Sequence, residues 1–137
     1  MTTTTFPDTV EVTGAQVWTG RVLSGVAVLF LAMDATMKVL QVPAAIEGTT
    51  KLGYPAGVLL PLGIIQLACL AAYLIPRTRV LGAILWTGYL GGAVATHVRV
   101  QDGAFPMVFP VIIGSLLWGG LVLRDPRLAA LLPLDAR

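Results

Sequence analysis

The chain has 137 residues, room for one domain, of which 56% are hydrophobic and only 12% charged. A soluble domain carries about 25% charged residues, and the mean hydropathy here is +0.84; the composition excludes a water-soluble globular protein and points to a polytopic membrane protein. A net charge of +2 is too small for nucleic-acid binding, and the single cysteine, Cys69, excludes an intrachain disulfide and a two-thiol relay.

Residues 1–15 read as a flexible, Thr-rich polar tail with Asp8 and Glu11. The tail lacks the basic start of a cleaved signal peptide, so the first apolar helix reads as an uncleaved signal anchor. Four apolar segments follow, each of about 20 residues, the length that crosses a bilayer. The first covers residues 16–40 and leads into a polar stretch, 41–53. The second covers 54–75, with Pro61 expected to kink it. Arg77-Thr78-Arg79 makes a tight turn into the third, 80–98. Asp102-Gly103 marks the next turn, and the fourth covers 105–123. Residues 125–137 read as a short surface tail, amphipathic over 128–134. Lipid offers no partner to backbone polar groups, so each span must be helical. The expected fold is all-α, a four-transmembrane-helix up-down-up-down bundle over residues 16–124.

Arg21, Arg77, Arg79, Arg124, Arg127 and Arg137 fall on the side of the termini, and Lys38, Lys51 and Arg99 on the other. This bias places both termini in the cytoplasm. Gly88-x-x-x-Gly92, with Gly91 and Ala95, offers a smooth surface for packing within the bundle or between subunits.

Charges within an apolar helix are costly, which directs attention to Asp34 and Lys38, four residues apart near the end of the first segment. Helical phase puts them on one face with Ala27 and Leu31; Trp86, Leu90, Ala93 and His97 share a face of the third segment, and Gly63, Gln66 and Tyr73 one of the second. Asp34, Lys38 and His97 then lie at similar depth toward the outer side, with Gln66 nearer the midplane. Together they outline an outward-opening polar pocket, with Arg99 in its wall and Tyr54 and Phe105 at its rim. The same residues also have plain structural readings. Lys38 can neutralise Asp34 or snorkel to the interface; His97 can cap its helix; Gln66 can join helices through its amide; Tyr54 and Phe105 can be interfacial aromatics. In the functional reading, a carboxylate tunes a histidine that titrates near neutral pH, for acid–base chemistry on a lipophilic substrate. Alternatively, the pocket binds a quinone carbonyl or an anionic headgroup. One histidine and few carboxylates argue against a metal site.

The chain also resembles the DoxX-like family of small four-helix membrane proteins over residues 17–123. The likeness rests on Asp34-Ala35-Thr36-Met37-Lys38, Leu52-Gly53-Tyr54-Pro55, Leu62-Gly63-Ile64-Ile65-Gln66, Pro76-Arg77-Thr78-Arg79, Gly82-Ala83 and Ala93-Val94-Ala95-Thr96-His97. The resemblance implies a four-helix bundle in a bacterial plasma membrane, with Lys38 and His97 at the family's polar motif positions. Gln66 stands where members often carry Glu, which removes a titratable group. Relatives are linked to thiosulfate:quinone oxidoreduction or to redox-defence complexes. The sequence reading is therefore a small binding or accessory subunit, with quinone or lipid as ligand and membrane lipids, a redox partner protein or a second copy as partners. One alternative is a membrane enzyme using Asp34 and His97 as catalytic acid and base, with Lys38, Gln66, Arg99 and Tyr54 binding the substrate. Another is a structural assembly subunit.

Overall fold

A computed structural model describes residues 11–132, and among them there is helix and no strand. The helices are α1 (Gly14–Val39), α2 (Pro43–Lys51), a 3-10 turn (Ala56–Val58), α3 (Leu59–Leu74), α4 (Arg79–Val100), α5 (Ala104–Val122) and α6 (Pro126–Leu131). The expected tails at 1–10 and 133–137 lie outside the described residues.

Helix α1 starts at a capping box: the Thr13 side chain accepts from the Gln16 N–H, and Gln16 Oε1 accepts from the Thr13 N–H at 2.9 Å. Its inward stripe, Gly20, Ser24, Ala27, Leu31 and Ala35, keeps the three- and four-residue spacing of one helical face. The large residues between them point outward: Leu29 is 74% exposed and Val26 54%. The same inversion of a soluble protein recurs at Ile64, Ile84 and Val111, as expected where the outer face meets lipid rather than water.

The long helices pack in a ring, α1 against α3 and α5, and α4 against α3 and α5. Their shared core includes Leu31, Tyr73, Trp86, Leu90, Ile113 and Leu117. Three helical segments are long and apolar enough to cross a membrane: Gly14–Val39, Ala56–Leu74 and Ala104–Val122. Helix α4 has the length, at 22 residues, but is diluted by Thr87, Gly91, Gly92, Thr96 and His97 and is not among them.

Close helix contact depends on glycines other than the expected pair. A Cβ on Gly82 would lie 2.2 Å from the Tyr73 backbone nitrogen, and one on Gly63 would lie 2.8 Å from Val39 Cγ2. Gly20 and Gly120 face each other, each with its hypothetical Cβ 2.8 Å from the other's carbonyl oxygen. By contrast, a Cβ on Gly88, Gly91 or Gly92 would meet nothing within 4 Å. The GxxxG pair is therefore not an internal packing seam.

Three local expectations are also revised. Pro61 sits in the first turn of α3, where backbone N–H groups lack helical acceptors in any case, so it needs no kink. Pro110 is the proline within a helix interior; it removes the donor that would serve the Pro106 carbonyl. Part of the stretch read as a polar connection folds as α2, with Pro43 at its first turn and Glu47 paired to Lys51 at 3.0 Å. At the other end, Asp125 caps α6 by accepting from the Arg127 N–H at 3.0 Å, and Leu128 is buried in the core rather than lying on the surface.

Candidate functional site

Beneath α2, at the Asp34 end of α1, is a half-open cavity of about 660 Å³. Leu31, Leu62, Leu90, Phe109 and Ile113 supply apolar wall, while Asp34, Lys38, Gln66, His97 and Tyr54 bring polar groups to the same space. A mostly apolar concavity with a few converging polar groups is the usual form of a small-molecule site.

Asp34 is the hub. Its Oδ2 accepts from Lys38 Nζ one turn later on α1 and from Gln66 Nε2 on α3 at 2.7 Å. The Lys38 side chain is 16% exposed against 34% for Asp34, so the lysine is the more buried of the pair. Helix α3 covers its stem: a Cβ on Gly63 would come within 3.1 Å of Lys38 Cβ. Gln66 is 1% exposed, and its Oε1 is a buried acceptor with no hydrogen-bond partner among the described residues. Trp86 Nε1 is the other such atom, but Trp86 does not line the cavity.

His97 faces the same cavity but takes a different carboxylate. Its Nδ1 lies 2.9 Å from Asp102 Oδ2. Gln101 in the left-handed region (φ 54°) reverses the chain at the end of α4, returning the Asp102 N–H to the His97 carbonyl at 3.2 Å. Asp102 was legible only as a turn residue. Asp34 and His97 thus share a cavity, and no hydrogen bond joins them.

Tyr54 lines the cavity, and its hydroxyl lies 3.0 Å from Thr96 Oγ1, which itself donates to the Gly92 carbonyl. Arg99 does not line it. Its Nη2 donates to the Leu52 carbonyl at 2.6 Å, and its guanidinium lies 5.7 Å from the Tyr54 ring centroid, bracing the α2–α3 connection. Phe105 is 71% exposed and packs on Phe109 rather than rimming the cavity. Gly88 and Gly92 do line it. A missing side chain at these positions is space in the cavity.

The apolar, outward-facing helices define a membrane protein with segments able to span a bilayer. The chain belongs to the DoxX-like family, whose model matches residues 22–120. No curated protein and no solved structure matches it.

Proposed function

We propose that this chain is a small binding or accessory subunit of a bacterial plasma membrane, whose cavity takes the head of a lipophilic quinone or quinol. In this reading all four long helices span, up-down-up-down, with both termini cytoplasmic and the cavity opening outward. Alternation is supported by which ends share a space: late α1 and α4 line the cavity with early α3 and α5. The arginine bias at the ends supports the orientation.

The observation that carries the ligand class is the hydrogen-bonding inventory of Lys38 and Gln66. Lys38 Nζ commits one N–H to Asp34, leaving two for a carbonyl oxygen. Gln66 Oε1 has no partner among the described residues but is fully buried, so it accepts from a quinol hydroxyl only once the amide turns toward the cavity. A quinone head offers the first and a quinol the second, while the apolar wall suits the ring and tail. A redox partner protein would then exchange electrons with the bound molecule, since the described residues contain neither paired thiols nor a group of three potential metal ligands.

Native mass spectrometry from gentle detergent tests the reading. Adducts of lipophilic-ligand mass, or a co-purifying protein, are expected; a chain that flies alone contradicts it. The acid–base reading of Asp34 and His97 keeps one supporting fact, their shared cavity. It requires turnover that falls in Asp34→Asn and His97→Ala.

A further inference from the structure

The opposite end of the bundle holds a second, smaller cavity of about 200 Å³, lined by Arg21, Ser24, Tyr73, Arg79 and Arg124 together with apolar residues. Helix α1 rises about 20 Å between Arg21 and Asp34. The two cavities therefore sit at opposite ends of α1, with Lys38, Gln66 and His97 belonging to the other one.

Arg124 is held firmly, but by neutral groups alone. Its Nε donates to the Gly120 carbonyl at 2.8 Å and its Nη2 to Ser24 Oγ at 2.9 Å. Ser24 donates onward to the Tyr73 hydroxyl at 2.8 Å, and Tyr73 donates to the Leu117 carbonyl at 2.9 Å. This chain of donors fixes the guanidinium while leaving three of its five N–H groups uncommitted among the described residues. Asp125, next in the chain, turns its carboxylate to the Arg127 N–H instead. Among the described residues no salt bridge reaches Arg21, Arg79 or Arg124. Burial lowers the pKa of Arg124, and Arg79 and Arg21 push it the same way against an opposing effect of Tyr73. Three cations gathered in one concavity without a counter-ion repel one another, and an anion would relieve that cost.

We propose that the Arg21–Arg79–Arg124 cavity binds a phosphate group, supplied by an anionic lipid headgroup or by free phosphate. A headgroup source fits the location, because basic pockets between helices at a cytoplasmic membrane face recognise anionic lipid. The proposal does not depend on what fills the Asp34 cavity.

The test uses the full chain in neutral detergent, with thermal unfolding and native mass spectrometry as readouts. The probes are phosphatidylglycerol, phosphatidylcholine and inorganic phosphate. Phosphatidylglycerol is expected to raise Tm and persist as an adduct, and phosphatidylcholine to do neither. The Arg21→Gln/Arg79→Gln double variant spares the Arg124–Ser24–Tyr73 chain, so it should fold with an undiminished Tm yet bind at least about tenfold more weakly. A Tm rise with inorganic phosphate as well identifies the phosphate itself as sufficient; a rise with the lipid alone identifies the headgroup source. No response to either, an equal response to phosphatidylcholine, or full binding by the double variant overturns the proposal.

Discussion

Gln66 Nε2 donates to Asp34 Oδ2 at 2.7 Å, tying α3 to α1 through the same carboxylate oxygen that holds Lys38. One oxygen therefore joins two helices and neutralises a cation, while the other end of the Gln66 amide is left facing an unmet demand.

Removing the carboxylate should cost more than neutralising it. Asp34→Ala strands Lys38 and the Gln66 amide together and is expected to lower stability by about 1–3 kcal/mol. Asp34→Asn keeps an acceptor for Gln66 and should cost less. Thermal unfolding in detergent checks the order; equal losses would mean that the acceptor contributes nothing.

The glycines should separate into two classes. Gly82→Ala drives a Cβ into the Tyr73 backbone, which a rotamer change cannot relieve, and overpacking of this kind costs about 1–3 kcal/mol or more. Gly88→Ala meets open space and should be neutral or stabilising by up to about 1 kcal/mol through helix propensity. Comparable Tm losses in the two variants would contradict the packing described.

This contrast also shows what the sequence could and could not tell. Helical phase placed Gly63, Gln66 and Tyr73 on one face of α3, and all three are buried. It likewise aligned Leu31, Asp34 and Lys38, and Leu90, Ala93 and His97, all of which line the cavity, whereas the walls supplied by α2 and α5 were not read from periodicity. Periodicity says nothing about which small residue a neighbouring helix approaches. Gly88 and Gly92 carry the recognisable spacing, yet contact falls at Gly20, Gly63, Gly82 and Gly120. The Asp102 partnership of His97 was hidden for a related reason, because it depends on a left-handed residue at Gln101 that reverses the chain. Helix α2 was masked by its mixed composition, although Pro43 and the Glu47–Lys51 spacing are helix signals in retrospect.

Tyr73→Phe should destabilise the chain by about 1–2 kcal/mol, because the Ser24 hydroxyl loses a buried acceptor and the Leu117 carbonyl a donor. Denaturation in detergent measures the loss. An unchanged midpoint would show that Ser24 and Leu117 find other partners.

His97→Ala and Asp102→Asn should leave stability within about 1 kcal/mol, since the pair is partly exposed, with Asp102 at 47%. Ligand retention should fall in His97→Ala, which removes a polar group from the cavity wall. Full retention would remove His97 from the binding site.

Whether the cavity beneath α2 holds a lipophilic ligand is tested most directly by native mass spectrometry of the wild type beside a Gly88→Leu/Gly92→Leu double variant. Both glycines line that cavity, and a Cβ on either meets nothing within 4 Å. A bound lipophilic species is expected on the wild type and should be lost from a folded double variant. A ligand-free wild type, or a double variant that keeps the ligand, would contradict a binding role for this cavity.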